Sequence, residues 1–103
     1  MDERRFMELL SRRDAVYVLL ALHKNPGASK SDIMYSDDEK GSRAKFLRMK
    51  DFVAYGLATE DDNNRQHNTK YITLTPVGAR IAKHYEEIMK EGKALPEPVF
   101  DEI

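Results

Sequence analysis

The sequence predicts a mainly α-helical domain with one small β-hairpin (α+β): a three-helix core, a two-stranded hairpin and a C-terminal helix. Three observations carry that prediction. Apolar residues recur at helical spacing in two long stretches, 12–24 and 76–91. One short stretch, Tyr71-Ile72-Thr73-Leu74-Thr75, instead alternates β-branched and aromatic residues with period two. Asn25-Pro26-Gly27, Gly56 and Thr75-Pro76 punctuate the chain where helix ends and turns need such residues.

In chain order, Asp2 to Leu10 places Phe6, Leu9 and Leu10 at helical spacing and reads as a short helix packed on the body or on a second subunit. Ser11 with Asp14 three residues on makes a capping-box-like start, so the next helix is expected over 12–24. Its buried stripe is Val16, Leu19, Leu20 and His23, broadened by Ala15 and Leu22. Ser29 and Asp32 repeat the Ser-x-x-acid start and open a short second helix of roughly two turns. From Asp38 as N-cap, with Glu39 at the positive end of the dipole, a third helix runs over about 39–55 and stops at Gly56; Gly41 weakens its first turn. On a helical wheel Phe46, Met49, Phe52 and Val53 gather on one side, with Lys40, Arg43, Ala44, Leu47 and Arg48 on the other.

Leu57 to Glu60 and Tyr71 to Thr75 then pair as a hairpin around the polar tip Asp61 to Thr69. Thr75 caps a last helix with Pro76 at its first position, striped by Val77, Ile81, Tyr85 and Ile88 and ending at Gly92. The expected organisation is one domain over 1–91, with a core over 11–75 and a C-terminal helix over 76–91. Residues 92–103 form an extended tail with Val99 and Phe100 as its docking points.

Composition excludes several classes of function. A length of 103 residues fits one modest core, and 41% hydrophobic with 34% charged residues fits neither a disordered chain nor a membrane protein. No apolar run approaches the roughly 20 residues that span a bilayer, and no signal-type apolar segment follows Met1-Asp2-Glu3-Arg4-Arg5, so a cytoplasmic location is expected. The absence of cysteine removes disulfide frameworks, thiolate nucleophiles and Cys-rich zinc sites together. His23, His67 and His84 fall on separate elements without metal-ligand spacing, while Asp37-Asp38-Glu39 and Glu60-Asp61-Asp62 read as a helix cap and a turn. No Ser/His/Asp arrangement or Gly-rich phosphate loop is visible, so neither an enzyme nor a cofactor is expected.

The formal net charge of -1 gives no global pull on a polyanion, but the charge is segregated. Lys40, Arg43, Lys45, Arg48 and Lys50 lie together with no acid among them, whereas the chain from Glu86 onward is predominantly acidic. Two helices joined by a tight connection, the second basic on its open face, follow the helix-turn-helix plan, and a hairpin directly after adds a wing.

At this point the sequence resembles the winged helix-turn-helix regulators, especially the small MarR-like and PadR-like proteins of bacteria and archaea. Phe52-Val53-Ala54-Tyr55-Gly56-Leu57 is similar to that family's junction between recognition helix and first wing strand. Tyr71-Ile72-Thr73-Leu74-Thr75-Pro76-Val77-Gly78-Ala79-Arg80-Ile81 is similar to its Tyr-x-Leu-Thr-x-x-Gly segment. The resemblance covers about residues 11 to 91 and implies sequence-specific binding of double-stranded DNA by a transcription regulator. The recognition helix would enter the major groove and the wing, 57–75, would touch the adjacent minor groove or backbone. The acidic run Asp37-Asp38-Glu39 and the wing's Asp61-Asp62 depart from what such a surface wants.

Beside this stands the chemistry of the residues. Arg43 and Arg48 are candidates for bidentate contacts to guanine or phosphate. Lys40 and Lys45 suit phosphate, and Ala44 and Leu47 share the face of Lys40, Arg43 and Arg48. Ser42, Ser29, Lys30 and Ser31 stand near helix N-termini, which receive phosphate. Arg65, Gln66, His67, Asn68 and Lys70 supply donors in the wing. Phe6, Leu9, Leu10, Ile81, Tyr85 and Ile88 are the expected contacts of a homodimer that would space two recognition helices about 34 Å apart. Aromatic residues such as Tyr17 and Tyr85 read as core, and no small-molecule effector is assigned. The competing reading is a winged-helix module that binds a protein partner and no nucleic acid, which near-neutral charge and the acidic patches favour.

Overall fold

The computed structural model describes residues 1–35, 43–61 and 70–101. Along them run α1 (Glu3–Ser11), α2 (Ala15–Lys24), α3 (Lys30–Met34), α4 (Arg43–Ala54), β1 (Ala58–Asp61), β2 (Tyr71–Leu74) and α5 (Pro76–Lys93). The order is the expected one, mostly helical with a two-stranded antiparallel hairpin and a C-terminal helix.

The break between α1 and α2 falls elsewhere than expected. Asp2 caps α1 by accepting from the Arg4 N–H at 3.2 Å, and α1 runs on through Ser11, whose hydroxyl donates back to the Glu8 carbonyl at 2.7 Å. Ser11 therefore closes one helix instead of opening the next, and the Ser11/Asp14 capping box does not form. Asp14 turns the chain with φ 61, a left-handed conformation that Asp tolerates better than most residues, and α2 starts at Ala15 rather than at 12.

The buried stripe of α2 is Ala15, Val18, Leu19 and Leu22; Val16, Leu20 and His23 are only half-buried. The period of the stripe is as expected and its direction is not. The segment AVYVLLALHK is apolar almost all round, so its own pattern cannot choose a face, and α2 packs against α1, α3, α4, β2 and α5. Val18 and Leu19 of α2 are fully buried, as are Phe52, Leu9, Ile33 and Met49 around it. Each such side chain contributes roughly 1.5–3 kcal/mol relative to exposure.

α3 is shorter than expected at five residues, but its Ser29/Asp32 capping box is complete. The Ser29 hydroxyl accepts from the Asp32 N–H, and the Asp32 carboxylate accepts from the Ser29 N–H, both at 3.2 Å. Ser29 also bridges Tyr71, and the Lys30 N–H donates to the Lys70 carbonyl at 3.0 Å, so the entry to α3 is stitched to the base of the hairpin.

The exit of α4 explains why Gly56, Leu57, Thr75 and Gly78 occur together. Gly56 takes φ 80, and its N–H donates to Val53 O at 3.2 Å while the Leu57 N–H reaches Phe52 O at 2.8 Å. These are the two bonds of a Schellman helix end, which needs a left-handed residue at that point. β1 then pairs with β2 from Ala58↔Leu74 to Asp61↔Tyr71. At the far end of β2, the Thr75 N–H donates to Leu57 O at 2.9 Å, and the Thr75 hydroxyl donates to Gly56 O at 2.8 Å while accepting from the Gly78 N–H at 3.1 Å. A Cβ at Gly78 would lie 2.0 Å from Leu57 O. Only glycine lets α5 sit this close to the turn.

α5 passes through Gly92 to Lys93 instead of ending at Gly92, and Gly92 does not adopt positive φ. Its inward face is Gly78 and Ala82 with Ile81 and Tyr85 half-buried beside them, whereas Val77 and Ile88 are exposed. Val99 and Phe100 of the tail are exposed and do not dock on the body of the single chain.

Candidate nucleic-acid interface

α3 and α4 are the two helices of the helix-turn-helix. Lys40 and Ser42, with the Asp38 cap, lie outside the described residues, as do Arg65, Gln66, His67 and Asn68 at the wing tip. What is described is the body of α4, its flanks and the base of the wing.

α4 buries Lys45, Met49 and Phe52. Its opposite side is therefore Arg43, Leu47, Lys50 and Ala54, spaced i, i+4, i+7 and i+11; Arg43, Lys50 and Ala54 are exposed and Leu47 is half-buried. Phe46 and Val53 flank this stripe on one side, and Ala44, Arg48 and Asp51 on the other. Lys50 thus stands beside Arg43 as an outward cation. Lys50 is not among the expected contacts, although it belongs to the basic run and its spacing of seven from Arg43 signals a shared face.

Two expected contacts are turned inward. Lys45, taken for a phosphate contact, is 4% exposed, and its Nζ sits 4.7 Å from the centroid of the Tyr17 ring. A lysine's four-carbon stem packs like an aliphatic side chain while the ammonium finds an aromatic face, so Lys45 fits the inward stripe that hydropathy alone assigned to Phe46. Arg48, taken for a base or phosphate contact, has a side chain only 13% exposed. Its Nε donates to Asp51 Oδ2 at 2.8 Å and its Nη1 to the Arg13 carbonyl at 3.2 Å. The same Asp51 oxygen takes Arg12 Nη1 at 2.9 Å, and Arg12 Nη2 reaches Glu8 at 2.9 Å. The bonds to Glu8 and then to Asp51 hold Arg12 above its ordinary guanidinium value. This network ties α4 to the α1–α2 corner and neutralises the charge of Arg48.

The entry to α3 is similarly engaged. Lys30 Nζ lies 3.0 Å from Glu60 Oε1 and 4.5 Å from the centroid of the Phe46 ring, so it links α3, α4 and β1. Ser29 carries the capping box already described. Ser31 and Lys70 are exposed.

The residues expected between two copies also divide. Leu9 is fully buried in its own core and cannot serve an interface while the fold persists. Phe6, Ile81 and Tyr85 pack on that core and Leu10 is half-buried, which leaves Ile88 as the exposed member. Among the described residues, no three His, Asp or Glu side chains gather where a metal could bind, and no helix is long and apolar enough to cross a membrane.

No family model and no curated protein matches the sequence. Solved structures do match the fold. The AF1382 protein of Archaeoglobus fulgidus superposes with a TM-score of 0.65 at 22% identity, over 84% of this chain and 96% of that one. MepR of Staphylococcus aureus in complex with DNA superposes with a TM-score of 0.63 at 17% identity, over 88% of this chain and 66% of MepR. MepR described as a transcription regulator of the multidrug efflux pump MepA gives 0.61 at 17% identity, over 86% and 66%. At these identities the likeness is one of fold, and the fold is a winged helix.

Proposed function

We propose that this chain binds double-stranded DNA in a sequence-specific manner as a transcription regulator. α4 lies in the major groove and the hairpin lies along the adjacent minor groove or backbone. The observation that carries the reading is the outward stripe of α4, where Arg43 and Lys50 flank Leu47 on a helix whose opposite side is anchored by Met49 and Phe52. An α-helix fills a major groove about 12 Å wide, and cations on its open side meet base edges and phosphates. The DNA complex of MepR, a structure of the same fold, supports the assignment.

In this reading Arg43 is the base-reading residue, Lys50 and Lys70 contact phosphate, and Leu47 offers an apolar contact to a thymine methyl. Lys40, Ser42 and the wing-tip donors Arg65, Gln66, His67 and Asn68, outside the described residues, are the further DNA contacts in this reading. Arg48 and Lys30 act from behind it, holding α4 and the wing in place through Asp51, Glu60 and Phe46.

The test is selection of bound duplexes from a random pool, followed by binding titrations against salt. The selected duplex is expected to bind with affinity that falls steeply with salt, each phosphate contact adding about 0.9 to the slope. Arg43→Ala with Lys50→Ala is expected to abolish binding while leaving the chain folded. Failure to retain any duplex at about 0.15 M salt would overturn the proposal in favour of a module that binds protein alone.

A further inference from the structure

A helix about 10–12 Å across nearly spans a major groove about 12 Å wide, so a phosphate strand runs along each of its flanks. The two flanks of α4 are built differently. On the side of Phe46 lie α3 and the base of the hairpin, where Lys30 is held by Glu60 and by the Phe46 ring. On the side of Arg48 lies the corner between α1 and α2. There the Ala15 N–H donates to the Arg12 carbonyl at 3.0 Å, closing a turn with Arg13 and Asp14 at its centre, Asp14 in the left-handed conformation.

This corner comes up level with the open face of α4. Asp51, four residues after Leu47, stands at the edge of the outward stripe, and its Oδ2 accepts from Arg12 of the corner at 2.9 Å and from Arg48 at 2.8 Å. Arg48 Nη1 also donates to the Arg13 carbonyl at 3.2 Å, which puts the backbone of Arg13 one hydrogen bond away from α4. These bonds neutralise a carboxylate that would repel phosphate from this edge, and they fix the turn against the helix. They also engage Arg48 and Arg12, the latter bonded to Glu8 as well, and Asp14 is itself engaged. Arg13 is the exposed cation of the corner, with no carboxylate in ion-pair reach among the described residues.

We propose that Arg13 contacts phosphate on the flank of α4 away from the wing, so that the α1–α2 corner holds the DNA strand running along that flank. The inference rests on the DNA-binding reading and extends it to an element outside the helix-turn-helix and the wing. A guanidinium suits the task because it donates to two phosphate oxygens at once. The contact uses the side chain of Arg13, whereas the corner uses its carbonyl, so substitution separates the two.

The test compares Arg13→Ala, Arg13→Lys and Lys70→Ala on the duplex that the parent selects. Affinity is titrated between about 50 and 200 mM salt, and phosphate contacts are mapped by ethylation interference. Arg13→Ala is expected to lower the salt slope by about 0.9, so that the parent's advantage shrinks about threefold over that range. Arg13→Lys keeps a cation and is expected to restore the slope. The phosphates whose interference Arg13→Ala removes are expected along one edge of the groove that receives α4, and none of them among those that Lys70→Ala removes. Urea midpoints of both Arg13 variants are expected to match the parent, because the carbonyl that Arg48 uses remains. A slope for Arg13→Ala equal to the parent's, or loss of the same phosphates as in Lys70→Ala, would overturn the inference and leave DNA binding standing. A shifted midpoint with a slope that Arg13→Lys does not restore would make Arg13 structural and overturn it as well. A parent that retains no duplex would instead remove the DNA-binding reading itself, and this inference with it.

Discussion

Gly78→Ala tests whether the wing and α5 are locked to the end of α4 in the way described. The substitution alone would favour a helix by up to about 1 kcal/mol, since alanine is the better helix former. Against that, the new Cβ would lie 2.0 Å from Leu57 O, a backbone atom with no rotamer to yield. Relief requires α5 to retreat by roughly an ångström, a shift of the size that overpacking forces at about 1–3 kcal/mol. The retreat also stretches the Thr75 N–H bond to Leu57 O and the Thr75 hydroxyl bond to Gly56 O, now 2.9 and 2.8 Å, each contributing about 0.5–1.5 kcal/mol. The net expectation is a loss of about 2–4 kcal/mol, a large share of the roughly 5–15 kcal/mol that holds such a domain. At about 4–8 °C per kcal/mol for a domain of this size, Tm falls by at least about 8 °C. Urea denaturation followed by circular dichroism, with thermal melts at equal concentration, measures it. A Gly78→Ala protein within about 0.5 kcal/mol of the parent would refute the packing argument, because it would mean that α5 does not need its close approach.

Other substitutions separate roles that the sequence leaves merged. Arg48→Ala is expected to lower stability by about 1–2 kcal/mol, because it breaks a largely buried ion pair and leaves Asp51 to Arg12 alone. Lys50→Ala is expected to leave stability within about 0.5 kcal/mol and to reduce the salt slope of DNA binding by about one; the reverse pattern in denaturation and binding titrations would exchange their roles. Lys45→Ala should cost about 1–2 kcal/mol through lost packing and lost contact with the Tyr17 face, read as a shift in urea midpoint without loss of the two-state transition. Gly56→Ala should cost about 1 kcal/mol because alanine resists φ 80, and an unchanged midpoint would argue against the left-handed helix end.

The local signals fared best where they were chemically singular. Ser29 and Asp32 formed their capping box, and Pro76 took the first turn of α5 behind Thr75. Ser11 and Asp14 have the same Ser-x-x-acid spacing as Ser29 and Asp32, yet no box forms, because α1 extends through Ser11 first. A capping motif states what a residue can do at a helix start, not that a helix starts there. Gly92 carries the same lesson at the other end, since a glycine permits a stop without imposing one.

The order of elements, their types and the pairing of the two hairpin strands were legible in the sequence, since caps, left-handed glycines and strand alternation are fixed by neighbours within a few residues; the contacts of Gly56 and Leu57 with Thr75 and Gly78 were not. Which way the helices face was not. α2 is apolar nearly all round, and the inward stripe of α4 includes a lysine, so only the surrounding elements could choose the buried sides and turn Lys45 in, Lys50 out and Leu9 wholly inside. Tertiary structure also decided which cations are engaged, because Lys30 meets a carboxylate on a strand thirty residues away, and Arg48, beside Asp51 one turn on in its own helix, is held inward by the Arg13 carbonyl thirty-five residues back. Sequence spacing records neighbours along the chain, and charge is neutralised by neighbours in space.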